Sequence, residues 1–299
     1  MKQSQSSWAR KEGQAAEGKD RKLKSILNPH RAYSIQNRAM CFLPGNRLPA
    51  HTAGDSLLGS IQDQLKRYGR LYYILLHIFA PILAGRKLKT ILGRELGRHD
   101  AQSVILNLGS GPQTLHQRQD VINVDLFAFD SVDMVADATD LPVEDQSVDL
   151  LINMALLEHV PQPQAVVQEM FRVLKTNGKA VCYLPFLVPF HAAPHDYHRW
   201  TLPGTRELFK DFGHVEAGVG AGPTSCLLYV FQEWTALAMS LGSRKLHDLI
   251  FLLLMLLTAP VKLLDLVLVH HPMAEQIASG FYVLAEKGEG MNRYDDLKE

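Results

Sequence analysis

Ser103-Val-Ile-Leu-Asn-Leu-Gly-Ser-Gly-Pro112 is an unbroken apolar run that passes directly into a small-residue turn. Val104, Ile105, Leu106 and Leu108 predict a strand buried on both faces, because a parallel strand covered by helices is apolar nearly throughout instead of alternating. Gly109 and Gly111 lack Cβ atoms, so they can take positive φ and bring main-chain amides close to a ligand. In sheets that bind dinucleotides, such a turn follows the first strand and carries the cofactor. Two glycines after a strand also make an ordinary tight turn, so the neighbouring segments decide.

Val121 to Asp125 is a second apolar strand, and its terminal carboxylate suits the hydroxyls of a ribose. Val132 to Asp137 repeats the device and is followed by Ala138. Val148 to Asn153 ends in an amide and Lys179 to Pro185 in a proline. Polar strand ends gathered on one edge of an open parallel sheet predict a crevice for a ligand with an amine or adenine, hydroxyls and an apolar ring. Leu126 to Ser131 is too short for the crossover of a dozen or so residues that parallel strands normally need, which predicts a bare loop and a missing flanking helix.

The succession Asn-Leu-Gly-Ser-Gly-Pro, Asn-Val-Asp, Ala-Asp-Ala-Thr-Asp-Leu-Pro-Val-Glu-Asp, Ser-Val-Asp-Leu, Leu-Glu-His-Val and Glu-Met-Phe-Arg-Val-Leu-Lys-Thr-Asn-Gly resembles the class I methyltransferases of the bacterial type-11 group, over Ser103 to about Phe190. Pro-His-Asp-Tyr-His-Arg-Trp-Thr at 194–201 resembles a segment that follows the fifth strand in one branch of that group. The resemblance implies a Rossmann-like, mostly parallel seven-stranded α/β sheet with flanking helices, and S-adenosyl-L-methionine as cofactor. It further implies that Gly109, Ser110 and Gly111 lie against the methionine part, with Asn153 beside it. Asp125 would meet the ribose, and Asp137 and Ala138 the adenine. The group commonly carries an acid and a third glycine where this chain has Asn107 and then Pro112 with Gln113, so Asn107 brings an amide without a charge toward the cofactor's amino group. A nicotinamide oxidoreductase shares the strand, turn and acid, but Asp125 follows Gly111 too soon for it and the third glycine is absent.

At 299 residues and 46% hydrophobic content the chain can bury a substantial core. Residues 1–48 hold ten Lys or Arg against Glu12, Glu17 and Asp20, so this arm carries +7 and the remainder −7. A disordered, solvated arm over residues 1–58 is expected, with no nucleic-acid partner. Helices are expected over 59–100 as a lid or membrane contact, the methyltransferase core over 101–225, a hydrophobic helical insertion over 226–275, the last core strand over 276–290 and a tail over 291–299. Cys41, Cys182 and Cys226 show no paired spacing, and Met1 to Gln36 has no secretory h-region, which suits a reducing cytoplasm.

Two stretches carry the chain's individuality. Leu71 to Ala84 is apolar on most faces and has a basic flank, but is too short for the ~20 residues of a bilayer span. Residues 249–269 are nearly long enough, yet Pro260 interrupts them and Lys262 and Asp265 would sit in hydrocarbon. A span would also separate the last strand from its sheet, so 249–269 are expected as a helical hairpin on a membrane or on the protein itself, and 71–84 as a helix over the sheet or, with 249–269, a peripheral contact at the inner face of a membrane. After the fourth strand come Glu158 and His159. After the fifth, His191, His195, Asp196, Tyr197, His198, Arg199 and Trp200 fall within ten residues. Asp196 and Arg199 suit a loop-fixing pair, while His159, His195 or His198 could act as general base. No Cys partner or helical ligand spacing accompanies the histidines, so no metal is expected. These readings give methyl transfer to an oxygen or nitrogen of a small or lipid-linked acceptor, or alternatively a non-catalytic membrane-associated binding module on the same fold.

Overall fold

Along the central strand β3 (Ile105–Leu108), Leu106 and Leu108 join the core on one face of the sheet and Ile105 joins the core on the other. A strand apolar on both sides needs cover on both sides. The computed structural model describes residues 17–43, 78–112, 118–191 and 194–288, and it supplies that cover. Helix α1 (residues 17–26) contributes Leu23 and Ile26 to the first face. Helix α2 (Arg86–Arg98) covers the second with Leu88, Ile91 and Leu96. Helix α3 (Pro163–Val173) returns to the first with Val166, Met170 and Val173.

The remaining strands are β1 (Ser34–Gln36), β2 (Ala39–Cys41), β4 (Ile122–Asp125), β5 (Met134–Val135), β6 (Val148–Met154), β7 (Leu174–Pro185), β8 (His214–Ala221) and β9 (Gly280–Glu286). They lie in the order β1-β2-β5-β4-β3-β6-β7-β9-β8. From β5 to β7 the pairing is parallel, and β9 runs antiparallel between β7 and β8. The expected seven-stranded sheet is thus present, with two strands added. β4 passes to β5 without a helix, as the short connection requires. The flank this leaves is filled by Ala39 and Cys41 of β2, packed with Val132, Val135, Ala128 and Phe129.

The added strands correct the expectation of a disordered arm over 1–58. Within it, residues 17–43 form α1 and the β1–β2 hairpin, whose second strand pairs with β5. The arm's charge explains its docking. Lys19 meets Asp133 at 2.6 Å, Lys22 meets Asp120 at 2.9 Å, and Arg31 pairs with Asp140, so cations of the basic arm face carboxylates of the acidic core.

Helix α4 (Leu202–Leu208) begins at Thr201, whose hydroxyl accepts from the Gly204 amide at 3.2 Å, with Pro203 in the first turn. Between β8 and β9 stands the insertion. It comprises α5 (Pro223–Met239), α6 (Arg244–Thr258), a 3-10 segment over Ala259–Leu264 that contains Pro260, and the short α7 (Asp265–Leu268). Lys262 and Asp265, the two charges that would burden a hydrocarbon environment, are buried inside the protein. Asp265 accepts from the Thr224 and Ser225 amides at 2.8 Å each and from the Ser225 hydroxyl at 2.6 Å. It therefore satisfies amides at the α5 N-terminus that have no partner within the helix. Lys262 donates to the Ala80 carbonyl at 2.8 Å. Residues 59–77, and with them half of the apolar stretch 71–84, lie outside the described residues.

Candidate functional site

The carboxyl ends of β3, β4 and β6 and the turns beyond them form one edge of the sheet. Gly109 and Gly111 both adopt positive φ, 70° and 59°. At Gly109 a Cβ would also stand 2.8 Å from that of Leu156, so conformation and space both require glycine there. The Gly109 and Ser110 amides donate to the Val124 carbonyl at 2.9 and 3.1 Å, fastening the turn to β4. Asp125, at the end of β4, accepts from the Gly111 amide at 2.7 Å and the Phe127 amide at 3.0 Å. Asp137 is exposed and accepts from the Thr139 amide and hydroxyl, with Ala138 half-buried beside it.

Asn153 is fully buried at the end of β6. Its Nδ2 donates to the Leu108 carbonyl at 3.1 Å, while its Oδ1 has no hydrogen-bond partner among the described residues. Asn107 is engaged differently. Its Nδ2 donates to Asn123 Oδ1 at 3.0 Å, and Asn123 in turn donates to the Ser131 carbonyl, a chain that ties β3 to β4 and the bare loop.

Beyond β6, Ala155 turns the chain at φ 61° and a single 3-10 turn follows over Leu157–His159. This brings His159 and the wholly buried Glu158 against His191 from the loop after β7. The His159 and His191 Nε2 atoms lie 3.7 and 3.6 Å from Glu158 Oε1. Glu158 raises the His191 pKa above the ordinary imidazole value, against the opposing effect of burial. Of the three candidate bases, only His159 belongs to this cluster. His195 is exposed beside Tyr197, and the His198 Nε2 stands 3.3 Å from the Pro161 carbonyl. His191 and Glu158 escaped selection because their partnership arises from the adjacency of β6 and β7, which linear spacing does not display.

Asp196 and Arg199 form the loop-fixing pair. The carboxylate takes both terminal guanidinium nitrogens, one at 2.6 Å, and also the His191 amide at 2.9 Å. Burial alone would raise the Asp196 pKa, but these hydrogen bonds bring it down to about 2. The loop is held to the 3-10 turn by the Tyr197 amide on the Glu158 carbonyl at 2.7 Å. Asp196→Ala should lower stability by roughly 3 kcal/mol, the scale for breaking a buried ion pair, and speed proteolytic cleavage near residue 195. Limited proteolysis and thermal denaturation read this, and an unchanged cleavage pattern would mean the pair does not hold the loop. Phe186, Phe190 and Trp200 do not come together as an aromatic wall. Phe186 stacks on Phe281, Trp200 packs against the main core and Phe190 is 75% exposed.

Residues 108–182, which carry the turn, Asp125, Asp137 and Asn153, match the family model of a methyltransferase domain. That stretch, about a quarter of the chain, is what the likeness to methyltransferase domains covers. The ubiquinone biosynthesis O-methyltransferase of Nitrosococcus oceani is 29% identical over 172 residues, covering 49% of this chain and 69% of that protein. Among solved structures, phosphoethanolamine N-methyltransferase 2 of Haemonchus contortus, in complex with S-adenosyl-L-methionine, aligns at a TM-score of 0.45 with 16% identity. That alignment covers 68% of this chain and 52% of the nematode chain, so the chain spans about half of that protein's length. The 1,6-didemethyltoxoflavin-N1-methyltransferase of Burkholderia thailandensis aligns at 0.42 with 15% identity, covering 78% and 89%.

The cofactor that goes with this likeness is S-adenosyl-L-methionine, and the chain's own atoms suit it. A buried amide oxygen without a partner is costly and calls for a donor such as the ammonium of the methionine moiety. Beside it, a Cβ on Gly111 would meet nothing within 4 Å, so the turn leaves open space for a ligand.

Proposed function

We propose that the chain transfers a methyl group from S-adenosyl-L-methionine to an oxygen or nitrogen of a small or lipid-linked acceptor. The observation that carries this reading is the unpartnered Asn153 Oδ1 beside the glycine turn. In it, Gly109, Ser110, Gly111 and Asn153 receive the methionine part, Asp125 the ribose, and Asp137 and Ala138 the adenine. The cofactor supplies a sulfonium-bound methyl group with its own leaving group. The chain's task is then to align the acceptor and exclude water, a contribution that reaches roughly 7 to 11 kcal/mol in favourable cases. His159 is the candidate nearest to taking the acceptor's proton, its ring held by the bond between Nδ1 and the His195 carbonyl at 2.6 Å. The similarity to a protein named as an O-methyltransferase favours oxygen as the receiving atom.

Support for an apolar acceptor comes from the insertion. Residues 244–268 are long and apolar enough to cross a membrane by length and composition, and 17% of their most apolar 18-residue window is buried. Yet Asp265 and Lys262 tie them to α5 and to Ala80, and β9 returns to the sheet. This favours a hairpin lying on a membrane surface at its cytoplasmic face, with Trp234, Leu237, Leu257 and Val267 exposed. The protein is expected to sediment with anionic vesicles, and replacement of those four residues by serine to leave it in the supernatant. An intact protein that stays in the supernatant would remove the membrane contact. Calorimetric titration with S-adenosyl-L-methionine and its demethylated product tests the central reading. Absence of binding by folded protein would favour the second reading, a non-catalytic membrane-associated module, which the uncharged Asn107 supports.

A further inference from the structure

Glu158 is wholly buried, and neither of its carboxylate oxygens has a hydrogen-bond partner among the described residues. A buried ionised carboxylate without compensation costs several kcal/mol, so its surroundings should contain a cation. What faces it are two imidazole nitrogens, His159 Nε2 at 3.7 Å and His191 Nε2 at 3.6 Å. These separations are too long for hydrogen bonds. They are close to the roughly 3.3 Å between two ligand atoms that share one tetrahedral ion at 2.0–2.1 Å. One ligand atom from each of the three residues can be chosen so that all lie within 4.8 Å of one another.

The far sides of both rings strengthen the case. His159 Nδ1 lies 2.6 Å from the His195 carbonyl and His191 Nδ1 lies 3.1 Å from the Pro189 carbonyl. A backbone carbonyl can only accept, so each bond puts a proton on Nδ1, and in the neutral ring the Nε2 lone pair then faces Glu158, the arrangement found in metal-ligating histidines. Arg199 Nη2 also approaches His191 Nδ1, at 3.3 Å, but it donates to Asp196 at 2.6 Å and to the Pro189 carbonyl at 3.2 Å, which occupies both of its hydrogens. Asp196 Oδ2 stands 3.6 Å from the same Nδ1 and favours a proton there. Two lone pairs and a carboxylate therefore converge on one point.

We propose that Glu158, His159 and His191 bind one divalent transition-metal ion of the zinc class. Two imidazoles and a carboxylate are borderline ligands that suit zinc, cobalt, manganese or iron. A three-ligand set leaves a coordination position for a further group, as catalytic sites do. The role, though not the site, rests on the methyltransferase reading: the open position would take an oxygen of the acceptor and favour passage of its proton to water. His159 would then be a ligand instead of a base, and the expectation of no metal would be revised.

The test uses the full chain after treatment with a chelator. Titration with zinc by calorimetry should give one equivalent, and cobalt should develop visible absorption bands of a low-symmetry nitrogen and oxygen site. His191→Ala and Glu158→Gln should each weaken binding at least about tenfold with circular dichroism unchanged. His271→Ala, at an exposed histidine, should have no effect. No binding by folded protein, or binding untouched by His191→Ala, would overturn the proposal. S-adenosyl-L-methionine titrated in parallel separates the two readings: metal binding without cofactor binding sinks the methyltransferase assignment and spares the site, and the reverse result does the opposite.

Discussion

Asp125→Ala is expected to weaken binding of S-adenosyl-L-methionine about 100-fold in calorimetric titration, the equivalent of roughly 3 kcal/mol. Hydrogen bonds to an ionised acceptor contribute about 1.5–3 kcal/mol each, and a ribose offers two adjacent hydroxyls. A carboxylate has about four acceptor positions, and on Asp125 two of them take the Gly111 and Phe127 amides. The substitution would also release the Gly111 amide, so part of the loss would come from a looser turn. Asp125→Asn separates the contributions, because the amide oxygen can still accept from a backbone donor while the charge is gone. Unchanged affinity in Asp125→Ala would remove the assigned ribose contact.

Asp265→Ala should produce the largest loss of stability, about 3–4 kcal/mol, or a fall in Tm of roughly 10 °C. The carboxylate holds two amides and a hydroxyl at the start of α5, all buried, so truncation leaves donors without water or partner. Asp265→Asn should recover part of the loss. Thermal denaturation followed by circular dichroism measures both, and an unchanged Tm would mean that α7 does not anchor the insertion. Gly222 lies against the same carboxylate, where a Cβ would stand 2.5 Å from the Asp265 side chain, so the junction has no room for a side chain there.

The core was legible in the sequence because its signals are local. The apolar run at 104–108, the glycines at 109 and 111, Asp125 at the end of β4 and Asp137 just beyond β5 each announce an element and a polarity, and the short connection after Asp125 announced a missing helix. What escaped were features that depend on distant pairing. Residues 17–43 read as a solvated arm since nothing in their own composition shows Asp120, Asp133 and Asp140 waiting on the core. Lys262 and Asp265 read as obstacles within an apolar run, whereas in the structure they fasten it. The Glu158 cluster needs β6 and β7 side by side before His159 and His191 can meet.

The position of β9 bears on how the molecule is made. This strand enters between β7 and β8, yet it follows the whole insertion in sequence. On the ribosome, β7 and β8 must therefore wait with unpaired backbone edges while some sixty residues, most of them apolar, emerge. Open edges and exposed apolar helices are the two hazards that promote aggregation, and here they coincide in time. Closure joins segments far apart in sequence, a topology that slows folding. A nascent chain of this kind gains from a chaperone or a lipid surface that shelters the insertion until the gap in the sheet is filled.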